Sequence, residues 1–156
     1  MYSLRKIKDR GFTIVELLIV IVVIGILATL VITTYNGIQE KARDTKRKTD
    51  INAIQGQIEA YQAQNGKYPC LAAVTSTCAA DINSSSFRAA NMKGLDPAAL
   101  QDPKGSSQAL AGTAAANVYS YAATPSGCDD SSTDCTGYTL TATLEAGGTF
   151  AKQNLN

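Results

Sequence analysis

An apolar segment near the start of the chain constrains its fold more than any other feature. From Phe12 to Ile32 the only strongly polar residue is Glu16. At about 1.5 Å per residue the segment spans roughly 31 Å as a helix, close to the thickness of the hydrocarbon core of a bilayer. A cleaved secretory signal is the alternative, but its apolar region is about 7–15 residues long and ends in a small-x-small site, which residues 25–28 do not supply. The segment therefore predicts a membrane-spanning helix.

Glu16 is out of place in that segment. An ionisable side chain inside a membrane helix is unfavourable by a few kcal/mol, and such residues usually have a partner or serve a function. The sequence therefore raises the question of what this carboxylate binds.

The positive charge of the chain is concentrated ahead of the apolar segment. Residues 1–11 hold four basic side chains against the single acid Asp9, whereas the rest of the chain holds ten basic against twelve acidic ones. Because basic residues flank the cytoplasmic side of membrane helices, we expect the N-terminus in the cytoplasm and residues 35–156 outside. A basic tip on a neutral-to-acidic body indicates a targeting signal and argues against a nucleic-acid-binding domain, and no direct nucleic-acid site is evident.

Four cysteines lie on the predicted outer side of the membrane: Cys70, Cys78, Cys128 and Cys135. An even number in an oxidising compartment indicates disulfides, and a zinc site made of four cysteines needs tighter spacing. Three connectivities are possible. The two local pairs, Cys70–Cys78 and Cys128–Cys135, are favoured because each closes a loop flanked by predicted regular structure. The chain has no histidine, which excludes histidine-based catalysis and histidine metal ligands, so no enzyme is predicted.

The helical signal continues beyond the apolar segment. No proline occurs before Pro69, and residues 38–64 are rich in strong helix formers. One apolar stripe with 3-4-3 spacing consists of Ile51, Ile54, Ile58 and Tyr61. Asn65-Gly66 supplies a C-cap, so one helix is predicted from about residue 12 to residue 64.

The stretch 39–50 differs from the rest of that helix because Ala42 is its only apolar side chain. A helix that is polar on all faces is solvated or bridges between parts of a protein. We therefore predict a neck here and a globular head from about Ile51. The basic side chains of the stretch, Arg43, Lys46, Arg47 and Lys48, permit contact with nucleic acid or acidic lipid. The interleaved Asp44 and Asp50 favour a solvated or subunit-facing surface instead.

The period of the apolar pattern changes to two in the last third of the chain. Strands are predicted at 117–123 and 137–145, and Gly147-Gly148 turns the chain into a last strand at 149–152. Asp96 and the proline after it indicate a short helical turn at 97–101. The predicted fold is α+β, with one long N-terminal helix laid across a small antiparallel sheet.

The first residues also match a known signal. A basic leader is followed by Gly11-Phe12-Thr13-Ile14-Val15-Glu16 at the start of an apolar helix that contains Gly25. The match continues with Tyr61, Gly66, Lys67, Tyr68 and Pro69, and with Tyr138, Leu140, Leu144 and Glu145 near the C-terminus. On these residues the chain closely resembles the prepilins of type IV pili and the pseudopilins of type II secretion.

The resemblance implies processing and self-assembly. In that family a prepilin peptidase at the cytoplasmic face cuts after the glycine and N-methylates the next residue, here Gly11 and Phe12. The helices of mature subunits then bundle in a filament core, where the ammonium of one Phe12 meets the carboxylate of Glu16 on a neighbour. Such a pair removes the cost of burying either charge alone. The resemblance thus implies that Glu16 serves the assembled state.

Two further comparisons with the family are less direct. Many members have a proline where this chain has Thr33, and their helices lose order between the glycine and that proline. The sequence does not decide whether the helix unwinds near Gly25 when that proline is absent. Some pseudopilins hold calcium in their C-terminal region, for which Asp129, Asp130 and Asp134 are the candidates here. Their spacing fits no EF-hand and acidic surface loops are common, so no cofactor is predicted.

The predicted organisation has four parts: a cleaved leader at 1–11, a membrane and filament-core helix at 12–34, its continuation at 35–65 and a head at 66–156. The predicted function is that of a structural subunit of a type IV pilus-like filament for motility, adhesion or DNA uptake. The major pseudopilin of a type II secretion system is the alternative within the family. A membrane-anchored binding module that never polymerises is the alternative outside it.

The expected partners follow from that function. They are further copies of the chain, the prepilin peptidase, a pilus or secretion assembly machinery, and the membrane. The protein is expected first in the cytoplasmic membrane as a single-pass protein and then in an extracellular filament.

Overall fold

The computed structural model describes residues 11–155, so the predicted leader lies outside the described residues apart from Gly11. The elements in chain order are helix α1 (Ile14–Asn65), helix α2 (Ser85–Asn91), a 3₁₀ helix (Pro97–Leu100), and strands β1 (Ser120–Thr124), β2 (Gly137–Thr143) and β3 (Thr149–Gln153). The chain divides into two compact units within α1, between Gln39 and Glu40. A long N-terminal helix and a small antiparallel sheet confirm the predicted α+β class.

The first unit contains the apolar part of α1. Its large side chains are exposed, as Leu17 and Leu30 illustrate at 61% each. By length and composition alone this helix is able to cross a membrane. Tyr35 follows the apolar segment and accepts a hydrogen bond of 2.8 Å from Gln39 Nε2. A tyrosine at this place is typical of a membrane–water interface.

The second unit is built on the predicted apolar stripe of α1. Ile51, Ile54 and Ile58 are fully buried. They share one core with the inward-facing side chains of the sheet, which are Tyr121, Tyr138, Leu140 and Ala142. Burying an isoleucine side chain stabilises a fold by about 1.5–3 kcal/mol, so this stripe accounts for a large part of the attachment of helix to sheet.

The three strands form an antiparallel meander in the order β1-β2-β3. Leu140 of β2 lies opposite Tyr121 of β1 and Lys152 of β3. Both glycines of the predicted turn, Gly147 and Gly148, have left-handed φ values of 98° and 79°. The turn takes up the end of the predicted second strand, because the amide of Leu144 donates to the carbonyl of Gly148.

The remaining boundaries differ from the predictions for local reasons. Strand β1 begins three residues late because Asn117 has a φ of 60°, which no strand residue adopts. Helix α2 was not predicted, because none of its residues is buried and its sequence therefore shows no apolar stripe. The short helical turn after Asp96 is confirmed, and the Asp96 carboxylate accepts from the amide of Ala98 at 2.9 Å.

The prediction of a solvated neck at residues 39–50 is wrong for one face of the helix. Asp44, Arg47 and Asp50 are 6%, 1% and 5% exposed. Residues three apart lie on the same helix face. Besides local bonds within α1, each of them has a partner in a loop more than fifty residues away, and no local pattern in the sequence indicates those distant partners.

Candidate processing and assembly site

The start of α1 is closed by reciprocal hydrogen bonds between Thr13 and Glu16. The amide and the hydroxyl of Thr13 donate to Glu16 Oε2 at 2.9 and 2.8 Å. The amide of Glu16 donates to the Thr13 hydroxyl at 3.2 Å. This is a capping box, in which two backbone N–H groups at the helix N-terminus find side-chain acceptors. Glu16 therefore has a partner within its own chain.

Thr13 is a site residue that the sequence prediction missed. Its signal was present, because a threonine three residues before a glutamate at the start of an apolar run is the capping-box pattern. The box engages one carboxylate oxygen, Oε2, in both hydrogen bonds from Thr13. It holds the side chain of Glu16 against the helix N-terminus, where a negative charge is favourable.

The junction between Gly11 and Phe12 is accessible in the described chain. Phe12 is 84% exposed. A Cβ atom added at Gly11 would meet nothing within 4 Å. Both residues precede α1, which begins at Ile14, so the backbone around the junction is not held in a helix.

The second unit carries a buried ionic cluster around Arg47. Its guanidinium binds Asp102 with two hydrogen bonds of 2.6 and 2.9 Å, Asp44 at 2.7 Å and Glu145 at 2.8 Å. Glu145 also binds Arg43 at 2.7 Å and Lys104 at 2.7 Å. Three basic side chains thus face three acidic ones. They join α1 to the loop after the 3₁₀ helix and to the β2–β3 turn.

The hydrogen bonds of the cluster shift the pKa values of its members. The bond to Asp102 is the main reason why the pKa of Arg47 lies above its usual value, against the opposing effect of burial. Burial alone would raise the pKa of Asp44. The amides of Glu145 and Ala146 and the guanidinium of Arg47 outweigh that effect, so the pKa of Asp44 lies below its usual value. Bonds from Arg43, then Lys104, then Arg47 lower the pKa of Glu145.

These shifts predict that acid weakens the head. A carboxylate whose pKa is lowered by folding contributes stability above its unfolded-state pKa of about 4.3, and this contribution disappears as the pH falls below that value. Glu145→Gln should therefore be less stable than the wild type at pH 7, with the difference shrinking between pH 5 and pH 3. Chemical unfolding of both chains across that range measures the difference. A gap that stays constant with pH contradicts the assignment.

Two disulfides close short loops of the head. Cys70 is joined to Cys78, and Cys128 to Cys135. These are the two local pairs that the sequence favours. All four cysteines also belong to the core or pack against it.

The three calcium candidates are engaged in different ways. The Asp129 carboxylate accepts hydrogen bonds from the backbone amides of Thr133, Ser132 and Ser131. These bonds lower its pKa, and the bond from Thr133 has the largest effect. Asp130 is buried and one oxygen accepts from the amide of Cys135. Asp134 is 67% exposed and bonds to Lys67 at 3.1 Å. Within residues 11–155, no three such side chains are placed to hold a metal ion.

Comparison with known proteins gives one family motif and a set of relatives. The prokaryotic N-terminal methylation motif matches residues 6–32. The chain is 42% identical to type II secretion system core protein G of Dickeya chrysanthemi over 62 residues, which are 40% of the chain and 40% of that protein. The protein of the same name from Escherichia coli K12 is 44% identical over 62 residues and is covered to 43%. That of Vibrio cholerae is 40% identical over 62 residues and is covered to 42%.

The chain therefore spans less than half the length of these relatives. No solved structure matches it. The motif and the relatives are consistent with the family of type IV pilins and type II secretion pseudopilins. An apolar N-terminal helix and relatives of this kind fit a membrane-anchored structural protein.

Proposed function

We propose that this chain, which carries the N-terminal methylation motif of type IV pilins and pseudopilins, is the major pseudopilin of a type II secretion system. The observation that carries the proposal is the motif at residues 6–32 together with relatives named for type II secretion. A type IV pilus, the first interpretation of the sequence, becomes the second candidate because those relatives are secretion proteins. In either case the chain is a structural subunit and not an enzyme.

The proposed path from membrane insertion to assembly has three steps. The chain enters the cytoplasmic membrane with its N-terminus inside and residues 35–156 outside, as the basic residues ahead of the apolar segment favour. A prepilin peptidase then cuts after Gly11 and methylates the amino group of Phe12. The assembly machinery finally draws subunits into a helical polymer, in which each Phe12 ammonium pairs with a neighbouring Glu16.

Deletion of the gene tests the choice between secretion and a pilus. The secretion proposal predicts that exported proteins accumulate inside the cell envelope while surface pili and surface motility are unchanged. Restoring the wild-type chain should restore the exported proteins in the medium. Normal secretion with lost pili would contradict the first candidate and favour the second.

Processing is tested by changing the junction. Gly11→Val should block cleavage, because a branched side chain now occupies the position next to the cut bond, while insertion into the membrane stays normal. Intact-mass analysis of the membrane protein should find an N-methylated Phe12 terminus in the wild type and the uncut chain in the variant.

Gly25→Val is the matched control, since the same substitution inside the apolar segment leaves the junction intact and should be cut. A wild-type protein that retains Met1 contradicts the processing proposal. So does a Gly11→Val chain that is cleaved normally.

A further inference from the structure

A basic patch lies where α1 passes β3, made of Lys48, Phe150 and Lys152. The ammonium groups of Lys48 and Lys152 stand 6.0 and 5.6 Å from the centroid of the half-buried Phe150 ring. Among residues 11–155 neither ammonium has a carboxylate partner. Two unpaired cations thus share one aromatic ring at the surface of the head.

Protection of a sheet edge explains only part of this patch. Lysine on an edge strand discourages pairing with other strands, and Lys152 lies on the edge strand β3. Lys48, however, belongs to α1, so protection of an edge strand does not explain its position. Two positive charges that lie close together without a carboxylate partner among residues 11–155 favour the approach of an acidic group.

The opposite end of the head is acidic. The disulfide-closed loop from Cys128 to Cys135 contains three aspartates, and among residues 11–155 Lys67 is the one basic side chain paired with them. Asp134 is the exposed member, and Lys67 contacts its Oδ1 atom.

The two ends are separated along α1. Lys48 and Asn65, the last residue of α1, are 17 residues apart in sequence, about 26 Å of helix rise. Unlike charges at opposite ends of one chain cannot meet within that chain. They can meet between copies in a head-to-tail contact, and repeated contacts of that kind generate open helical polymers.

We propose that in the assembled filament the Cys128–Cys135 loop of one copy lies on the basic patch of the next, with Asp134 facing Lys48 and Lys152. The contact rests on the proposed filament function and adds to it a polar contact between heads. It also predicts that salt weakens the polymer, because exposed charge pairs are screened.

Charge exchange on the full-length chain tests the contact. The double variant Lys48→Glu/Lys152→Glu should reduce the subunit in the sheared filament fraction at least tenfold, and Asp134→Lys should reduce it as well. Combining the three substitutions should restore filaments, because opposite charges face each other again. Lys93→Glu, which reverses an exposed lysine away from both ends, is the matched control and should assemble normally. Membrane abundance and both disulfides are checked in each variant.

Carbodiimide cross-linking of wild-type filaments supplies an independent readout. Mass spectrometry should find Asp134 of one copy joined to Lys48 or Lys152 of another. Filaments at wild-type yield from the double variant, or no recovery in the combined variant, overturn the contact. A wild-type chain that leaves no filaments in the sheared fraction instead contradicts the proposed function, and this inference falls with it.

Discussion

Arg47→Met should lower the free energy of unfolding by about 3–5 kcal/mol, the usual cost of removing one partner from a buried ion pair. The guanidinium is 1% exposed and contacts Asp44, Asp102 and Glu145. Methionine fills much of the space but offers no hydrogen-bond donor. The buried Asp102 carboxylate therefore loses the two hydrogen bonds that it accepts from Arg47. Denaturant unfolding of the purified chain in detergent, followed by circular dichroism and tyrosine fluorescence, measures the loss.

Lys41→Met is the matched control for this substitution. Lys41 is exposed on the same helix, and exposed substitutions of this kind usually change stability by less than about 0.5 kcal/mol. The expected order is therefore a large loss for Arg47 and almost none for Lys41. If the free energy of unfolding of Arg47→Met lies within about 1 kcal/mol of the wild-type value, the substitution behaves like an ordinary surface change. That result would falsify the view that the cluster holds α1 to the head.

Glu16→Gln should remove filaments while leaving membrane abundance and cleavage after Gly11 nearly normal. Glutamine preserves the capping box, because its side-chain oxygen accepts from the amide of Thr13 as the carboxylate does. The substitution therefore isolates the charge. Each Phe12 ammonium loses its partner in the polymer, a loss on the order of 3–5 kcal/mol per buried pair that recurs with every added subunit.

Electron microscopy and a blot of the sheared fraction decide the outcome. Glu40→Gln makes the same chemical change at a half-buried position of α1 beyond the apolar segment and should leave filaments intact. A membrane-anchored module that never polymerises predicts that Glu16→Gln is silent. Wild-type numbers of filaments from the Glu16→Gln chain would end the pairing argument.

The sequence predicted the elements whose signals are periodic and local. The Ile51, Ile54 and Ile58 stripe and the alternation in β2 each repeat along the chain, so the burial they indicate agrees with the structure. Gly66 likewise marks the end of α1, with a φ of 76° that glycine adopts without strain. Patterns of this kind need no knowledge of distant residues.

The buried charges could not be predicted in the same way. In the sequence Arg47 resembles a solvated residue in a polar stretch. Its contacts with Asp102 and Glu145, both more than fifty residues away, help to make its burial favourable. Glu145 was singled out in the sequence only as the last residue of a C-terminal pattern that resembles the family's. Thr13 is the opposite case, because the capping-box spacing of Thr13 and Glu16 is local and can be read from the sequence.

The disulfide connectivity has a consequence for export. Each bond joins the nearest cysteine along the chain, with sequence separations of 8 and 7 residues. In the proposed orientation the N-terminus stays inside. If the residues after the membrane helix emerge in chain order, Cys70 and Cys78 reach the outer side before Cys128. Pairing each cysteine with the first available neighbour then produces the native bonds in order of arrival. Pairing in this order requires no enzyme that reshuffles mispaired bonds.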